Sequence, residues 1–120
     1  MIAVAWQFEV KPEYQEAFEH FFGADGEWTA FSRRSRAFLG SSFLKDLAQP
    51  SRYLLVEYWS ETLVYEKHLA DYSDEVKSLE SQRARFLTAA HPLGIFNALD
   101  VPDRSGPTWS RRTGRTFQET

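Results

Sequence analysis

The chain opens with a regular alternation of apolar and polar positions. From Ile2 to Val10, five large apolar side chains fall on one face and smaller or polar side chains on the other, which is the two-residue period of a half-buried strand. After a break at Pro12, apolar residues from Tyr14 to Phe22 recur at helical spacing and stop at Gly23. The first two elements are therefore predicted to be a strand and an amphipathic helix.

The next stretch predicts a short helix and a β-hairpin. Residues 27–36 have Trp28 and Phe31 on one side of a helical turn. Residues 37–47 return to a two-residue period around Phe38, and a turn at Gln49-Pro50-Ser51 leads into a strand at 53–59. These two strands are at hairpin distance and should pair antiparallel.

The second half predicts two helices and a last strand. Apolar positions run from Tyr65 to Ala90 at steps of three and four, and Ser73 offers cap chemistry, so two helices should meet near residue 73. His91-Pro92 is expected to end the second helix, and residues 93–99 to form the last strand. The element order is then the split β-α-β arrangement of ferredoxin-like α+β folds, with a four-stranded antiparallel sheet.

Length and composition indicate one globular domain followed by a tail. The chain has 120 residues, of which 42% are hydrophobic and 16% aromatic, enough for one core with aromatic residues left for a pocket or interface. We assign residues 1–100 to the domain and 101–120 to a basic tail, since the tail carries four arginines against Asp103 and Glu119. Trp109 and Phe117 are expected to anchor it on the body or on a partner subunit.

Several function classes have no support in the sequence. The formal charge is −3 with no basic stretch interleaved with aromatics in the domain, so nucleic-acid binding is not expected. The chain has no cysteine, which excludes disulfides and thiolate catalysis. No histidine and carboxylate spacing predicts a metal site. No apolar segment approaches the roughly 20 residues of a membrane span, and no signal-peptide pattern is present, so a cytoplasmic location without membrane attachment is expected.

A homodimer is expected from the sheet itself. Helices on one face of a four-stranded sheet leave the other face bare. On the strand 53–59, the alternating sets that begin at Tyr53 and at Leu54 are both too apolar for open solvent. Two copies packed sheet to sheet, related by a two-fold axis, would cover the bare face.

Five short segments stand out together by their order and spacing: Phe8 to Phe18, Gly26-Glu27-Trp28, Phe38-Leu39-Gly40, Arg52 to Trp59, and Leu93 to Phe96. Through them, residues 2–99 resemble the antibiotic biosynthesis monooxygenase (ABM) domain family, within the dimeric α+β barrel superfamily. The resemblance implies the same ferredoxin-like dimer that the element order predicts.

The resemblance also implies an activity. Enzymes of the family typically oxidise phenolic, anthrone or quinol-type aromatic compounds with molecular oxygen and use neither metal nor flavin. Once deprotonated, such a substrate can pass an electron to oxygen itself, so the protein has only to bind, orient and deprotonate it. The expected partner is a small aromatic molecule and no cofactor is expected. The alternative is a non-catalytic dimeric domain that binds a small aromatic ligand or serves as a scaffold.

Site residues follow from the same resemblance. The tryptophan and tyrosine of quinone-forming members correspond to Trp59 and Tyr65, and a histidine of quinol-oxidising members to His68. Trp59 could form an aromatic wall, Tyr65 could hydrogen-bond the substrate oxygen, and His68 could act as the general base. Leu55 stands where those members have an asparagine, and Leu79 or its neighbour Lys77 stands near their arginine. The structural alternative for each aromatic residue is a place in the core.

The remaining expected pocket residues are apolar or aromatic and belong to four segments of the chain. They are Trp6, Phe8, Trp28, Leu55, Leu69 and Tyr72. The haem-degrading branch of the family is the least favoured interpretation, because its haem-ligating histidine corresponds to about Ser78. Without a histidine there, the iron has no matching ligand.

Two charged residues fall at apolar positions. Glu57 lies inside an apolar strand, where a carboxylate is costly, and we expect it to pair with Arg52 or with an arginine of the 33–36 cluster. A general-base role is the alternative. Arg83 lies on the apolar stripe of the last helix. Burial would require a carboxylate partner, so a side chain that extends to solvent at the edge is favoured.

Overall fold

A computed structural model describes residues 1–101, so the expected docking of the tail lies outside the described residues. Four strands and four helices build the domain, with a short 3-10 turn at Pro12–Tyr14 before the first helix. The strands are β1 (Ile2–Val10), β2 (Phe38–Lys45), β3 (Arg52–Trp59) and β4 (Leu87–Asn97), and the helices are α1 (Gln15–Phe22), α2 (Glu27–Ser32), α3 (Thr62–Asp71) and α4 (Ser73–Ala84).

The sheet has the strand order β2-β3-β1-β4, and every neighbouring pair is antiparallel. In the central pair, Ile2 lies opposite Trp59 and Phe8 lies opposite Tyr53, so the large side chains of β1 and β3 share one face. The predicted α+β ferredoxin-like fold with a four-stranded antiparallel sheet is confirmed. The two helices predicted to meet near residue 73 are also confirmed.

The core is an aromatic layer between the sheet and α1. Phe18 is completely buried, and its ring centroid lies 5.5 Å from that of Phe8 and 5.0 Å from that of Tyr53. Phe21 and Phe22 on the same helix belong to this cluster. Each such ring contributes about 1.5–3 kcal/mol by burial. This packing fixes the helical layer on one face of the sheet.

The predicted end of the last helix and the predicted start of the last strand are wrong. Helix α4 ends at Ala84, and β4 begins at Leu87, so His91-Pro92 lies inside a strand. A register shift opposite Ala5 and Trp6 marks a bulge beside Pro92, and β4 is an edge strand. An edge strand tolerates a proline at a bulge because the missing N–H leaves no ladder hydrogen bond unmade.

Two further boundaries differ from the prediction. Helix α2 ends at Ser32 rather than at residue 36. In β2, a register shift between Phe38 and Gly40 breaks the two-residue period, and Gly40 has a φ of 122°, a conformation that suits glycine. Phe38 lies opposite Trp59, whereas Gly40 lies opposite Tyr58. The bulge therefore places Phe38 with the helix-facing residues and Gly40 on the opposite face of the sheet.

The face of the sheet opposite the helices, here called the open face, is apolar and is not covered by any other element of residues 1–101. Leu44 and Phe96, from the two edge strands, are each 51% exposed. The cross-strand register places these apolar residues together on the face: Ala3, Ala5, Leu44, Leu54, Val56, Tyr58 and Phe96. No described helix is long and apolar enough to cross a membrane.

The loop between α1 and α2 generates the first testable prediction. A Cβ atom at Gly26 would lie 2.1 Å from the carbonyl oxygen of His20 and 2.2 Å from that of Phe21. Backbone atoms cannot yield at such distances, so Gly26→Ala should lower the free energy of unfolding by about 2–4 kcal/mol in urea denaturation. The exposed neighbour Ala24 gives the control, since Ala24→Ser should change it by less than about 0.5 kcal/mol. Equal stability of Gly26→Ala and wild type would contradict the close approach.

Candidate functional site

The three expected catalytic residues lie in contact at one end of the sheet. Trp59 ends β3, and Tyr65 and His68 lie on α3 just after it. The ring of Trp59 is 5.2 Å from that of Tyr65 and 5.5 Å from that of His68. Trp59 is 1% exposed and His68 is 6% exposed. The residues are therefore brought together, in a tightly packed cluster.

The imidazole of His68 has one nitrogen engaged by a backbone carbonyl, and its other nitrogen has no hydrogen-bond partner among residues 1–101. Its Nε2 lies 3.0 Å from the carbonyl oxygen of Phe31, and because a carbonyl can only accept, Nε2 must carry the hydrogen. In this tautomer the lone pair of the imidazole lies on Nδ1. Phe31 and Tyr72 hold the ring in place, with centroids 4.5 and 5.2 Å away.

Tyr65 is suited to donate a hydrogen bond and not to accept a proton. Burial, together with the nearby negative charge of Glu57, raises the pKa of Tyr65 to about 12. The phenol therefore stays neutral at physiological pH. Its hydroxyl can stabilise an oxygen atom that becomes negative during a reaction.

Glu57 is the buried polar centre of the region. It is 5% exposed and faces the helices from the middle of β3. Trp28 Nε1 donates to its Oε2 at 2.6 Å, and Trp59 Nε1 donates to its Oε1 at 3.2 Å. Ser32 Oγ donates to Oε2 at 3.4 Å. Burial raises the pKa of Glu57, although these hydrogen bonds oppose the shift.

The expected ion pair of Glu57 is therefore wrong. Arg52 pairs instead with Asp46 at 2.7 Å, and Arg34 pairs with Glu75 at 2.5 Å. The indole N–H groups of two tryptophans take the place of an arginine, because α2 and β3 bring both indoles to the carboxylate. The alternation of β3 did place Glu57 in the core, but the sequence carries no signal for its partners.

Arg83 is a candidate site residue that the sequence analysis did not select. Its guanidinium carbon lies 4.9 Å from the ring centroid of Trp6, 5.2 Å from that of Phe8 and 5.7 Å from that of Trp28. Its Nε is buried and has no hydrogen-bond partner among residues 1–101, and burial lowers its pKa. Arg83 as a whole is half-buried: three aromatic faces attract its cation, while part of the side chain stays accessible to solvent, as expected. Its position on the apolar stripe of α4 was the available signal.

The expected pocket residues divide into three groups. Phe8 and Leu55 are 0% and 3% exposed and form part of the core. Trp6 and Trp28 lie against Arg83. The other two belong to the α3 region: Leu69, which is half-buried, and Tyr72, which is exposed. Within the described part of the chain, no three His, Asp or Glu side chains lie together as a metal site would require.

A cavity of about 470 Å³ opens between β2 and the segment that joins α1 to α2. Its lining includes Phe22, Thr29, Arg33 and Phe38, and it contains none of the nine expected site residues. The Phe38 ring lies 5.3 Å from that of Trp59. One side chain therefore separates this cavity from the Trp59, Tyr65 and His68 cluster.

The raised pKa of Glu57 predicts a specific dependence of stability on pH. A carboxyl group that binds its proton more tightly in the folded state contributes stability below its unfolded pKa of about 4.3, and that contribution is lost as pH rises through the folded pKa. In urea denaturation between pH 4.5 and 8, the advantage of wild type over Glu57→Gln should therefore shrink as pH rises.

The control for this experiment is Asp46, whose pKa is lowered by its hydrogen bonds to Arg52 and to backbone N–H groups. The contribution of Asp46 to stability is lost only as pH falls through its lowered pKa. Asp46→Asn should therefore change the free energy of unfolding by a constant amount above pH 4.5. Parallel curves for wild type and Glu57→Gln would contradict the burial of a titrating carboxyl group.

Comparison with known proteins places the chain in a family. A sequence model described as antibiotic biosynthesis monooxygenase matches residues 1–78. Comparison with curated protein sequences gives no match. Among solved structures, a Deinococcus radiodurans protein named for this family is 17% identical, with 88% of this chain and 100% of that chain covered and a TM-score of 0.68.

Two further structures share the fold. A mutant form of SnoaB, a cofactor-independent oxygenase from Streptomyces nogalater, is 18% identical over 83% of this chain and 94% of its own, with a TM-score of 0.68. A protein from Nitrosomonas europaea, also named for the family, is 18% identical over 83% of this chain and 100% of its own, with a TM-score of 0.62. With a sequence match over more than half of its length and the same fold, the chain belongs to the antibiotic biosynthesis monooxygenase family.

Proposed function

We propose that the protein is a homodimeric, cofactor-independent monooxygenase that acts on a small phenolic, anthrone or quinol-type aromatic compound. The observation that carries this proposal is the Arg83 guanidinium, which has no carboxylate partner among residues 1–101 and lies among the rings of Trp6, Phe8 and Trp28. A cation held between aromatic faces is suited to a flat aromatic ligand with an ionised oxygen. Family membership supports the same chemistry.

Arg83 and each residue of the Trp59, Tyr65 and His68 cluster have a role in this proposal. The Arg83 guanidinium holds the oxygen that becomes negative when the substrate is deprotonated. His68 Nδ1 takes the proton, since Nε2 is engaged by the Phe31 carbonyl. Tyr65 donates a hydrogen bond to a second oxygen, and the Trp59 indole forms the wall.

The reaction balances without a further oxidant. For an anthrone, a methylene proton passes to His68, and the enolate that forms gives one electron to molecular oxygen. The two radicals combine into a carbon-bound peroxide, which takes back a proton. Loss of the second methylene proton and cleavage of the O–O bond release water and leave a carbonyl. One oxygen atom thus enters the product and the other becomes water.

The ligand must displace side chains in order to reach this site, because Trp59 and His68 are almost fully buried. The cavity between β2 and α2 provides a route in our proposal. Phe38 lines that cavity and contacts Trp59, so a rotation of one ring would join the cavity to the cluster. Phe38 is half-buried and lies on the edge strand, where a side chain has more freedom to move than in the core.

Oxygen consumption with a panel of hydroquinones and anthrones tests the proposed activity. We expect uptake with wild type, a loss of about 100-fold or more in kcat for His68→Ala, and a smaller loss for Tyr65→Phe, since a general base contributes about 10²–10⁴. His20→Ala is the matched control, because His20 is an exposed histidine on α1 and should leave the rate unchanged. Turnover that survives both site variants would remove these roles.

A non-catalytic ligand-binding domain is the second candidate. Leu55 is 3% exposed in the core. The position that corresponds to the asparagine of quinone-forming members therefore holds a buried apolar side chain. Binding of hydroquinones with no oxygen uptake for any of them would favour this candidate. A titration with haem that leaves the Soret band unchanged would dispose of haem degradation, in keeping with Ser78 at the corresponding position.

The proposed dimer forms through the open face of the sheet. Val56 lies in the middle of that face, paired with Ala5 and Ser42 on its two neighbouring strands. Val56→Lys would bury a charge at the interface without a partner. We expect the mass from light scattering to fall from twice the chain mass to the 13.9 kDa of one chain.

The matched control for the dimer is Leu63→Lys, since Leu63 is 76% exposed on α3, away from the open face. This variant should keep the mass of wild type. Circular dichroism should show the same secondary structure for both variants. A wild-type protein that is monomeric at micromolar concentration would contradict the dimer.

A further inference from the structure

We propose that Glu57 is a positioning residue: through the indole of Trp28 it fixes the Arg83 guanidinium as an anion-binding group whose N–H donors stay free for a ligand. The inference deepens the proposed function, and rests on it only for the identity of the ligand. An Arg83 guanidinium held in this way would bind planar aromatic compounds that carry an ionised oxygen or a carboxylate. Glu57 itself makes no direct contact with that ligand.

The geometry places one indole between the two charged groups. At its N–H edge, Trp28 donates to Glu57 Oε2 at 2.6 Å. Over its ring lies the guanidinium carbon of Arg83, 5.7 Å from the centroid. The three residues come from α2, β3 and α4, so the arrangement exists only in the folded protein.

A carboxylate that accepts the indole hydrogen acts on the ring in two ways. It restricts rotation of the side chain, so the ring face keeps its orientation toward the cation. It also pushes electron density into the ring, which makes the face more negative and strengthens its attraction for the guanidinium. Glu57 therefore favours the position of the half-buried Arg83 charge through the ring.

This arrangement differs from an ion pair in what it leaves available. In a direct salt bridge, a carboxylate would occupy the guanidinium N–H groups. Here the Nε of Arg83 is buried without a partner in the described part of the chain. A buried donor without an acceptor is costly, and a ligand anion would satisfy it. The counter-charge of Glu57 is present, but it does not contact the guanidinium N–H groups directly.

Trp59 provides an internal control. Its indole also donates to Glu57, to Oε1 at 3.2 Å, whereas the rings in contact with the Arg83 guanidinium are those of Trp6, Phe8 and Trp28. Trp59→Phe and Trp28→Phe each remove one hydrogen bond to Glu57 and keep an aromatic ring. Only the second of them should affect Arg83.

The test is a two-dimensional ¹H–¹⁵N NMR comparison of the full-length protein, free of ligand, with the Arg83 Nε–H signal assigned by its loss in Arg83→Met. We expect Glu57→Gln and Trp28→Phe to shift this signal, and Trp59→Phe to leave it in place. An unchanged Arg83 signal in Glu57→Gln would overturn the inference, as would equal shifts in the two tryptophan variants. If Glu57→Gln does not fold, the comparison of Trp28→Phe with Trp59→Phe decides, since both variants retain Glu57.

A binding measurement separates this inference from the proposed function. The probes are 2-naphthoate and its neutral analogue 2-naphthamide, measured by isothermal titration calorimetry. Trp28→Phe should weaken naphthoate about tenfold more than it weakens naphthamide, whereas Trp59→Phe, which alters the ring wall for both probes, should weaken the two to the same extent. Naphthoate that binds no better than naphthamide to wild type would overturn the inference. Absence of oxygen uptake with these shifts intact would contradict the proposed function alone.

Discussion

The carboxylate of Glu57 is the constraint around which the helix-facing side of this protein is arranged. A carboxyl group buried in the middle of a central strand needs several hydrogen-bond donors. Trp28 and Ser32 supply them from α2, and Trp59 supplies one from β3 itself. These bonds tie a helix of six residues to the sheet and orient two indoles. The short helix has little other means of holding a fixed position, since isolated helices of that length are unstable.

The position of Arg83 follows from that arrangement. Two tryptophans and a phenylalanine present their faces to one guanidinium, and the ring of Trp28 transmits the effect of the Glu57 charge. The high aromatic content of the sequence thus serves both the core and the contacts with Arg83. On the other side of the sheet, the apolar residues around Val56 have no such polar centre, which suits an interface between subunits and not a ligand site.

Local sequence patterns predicted the elements whose period was unambiguous. The alternation in β1 and β3 and the helical spacing in α1 gave the correct order and the correct fold class. The last strand was misplaced because Leu87 to Ala90 fits either period and because Pro92 suggested an end, not a bulge. Contacts between distant segments had no local signal. Trp28 and Glu57 are 29 residues apart, so the indole partners of the carboxylate could not be inferred from spacing. For Arg83, spacing indicated the apolar stripe of α4 but not the three rings that contact it.

The most direct measurement is a crystal structure of the protein soaked without oxygen in a 1,4-naphthalenediol. We expect a two-fold dimer through the open sheet faces, with one ligand per subunit and a ligand oxygen at about 3 Å from the Arg83 Nε. The Trp28 indole should still donate to Glu57 in that complex. A ligand bound only in the cavity beside β2, with Arg83 still covered by its three rings and no oxygen near it, would contradict the central role given to this arginine.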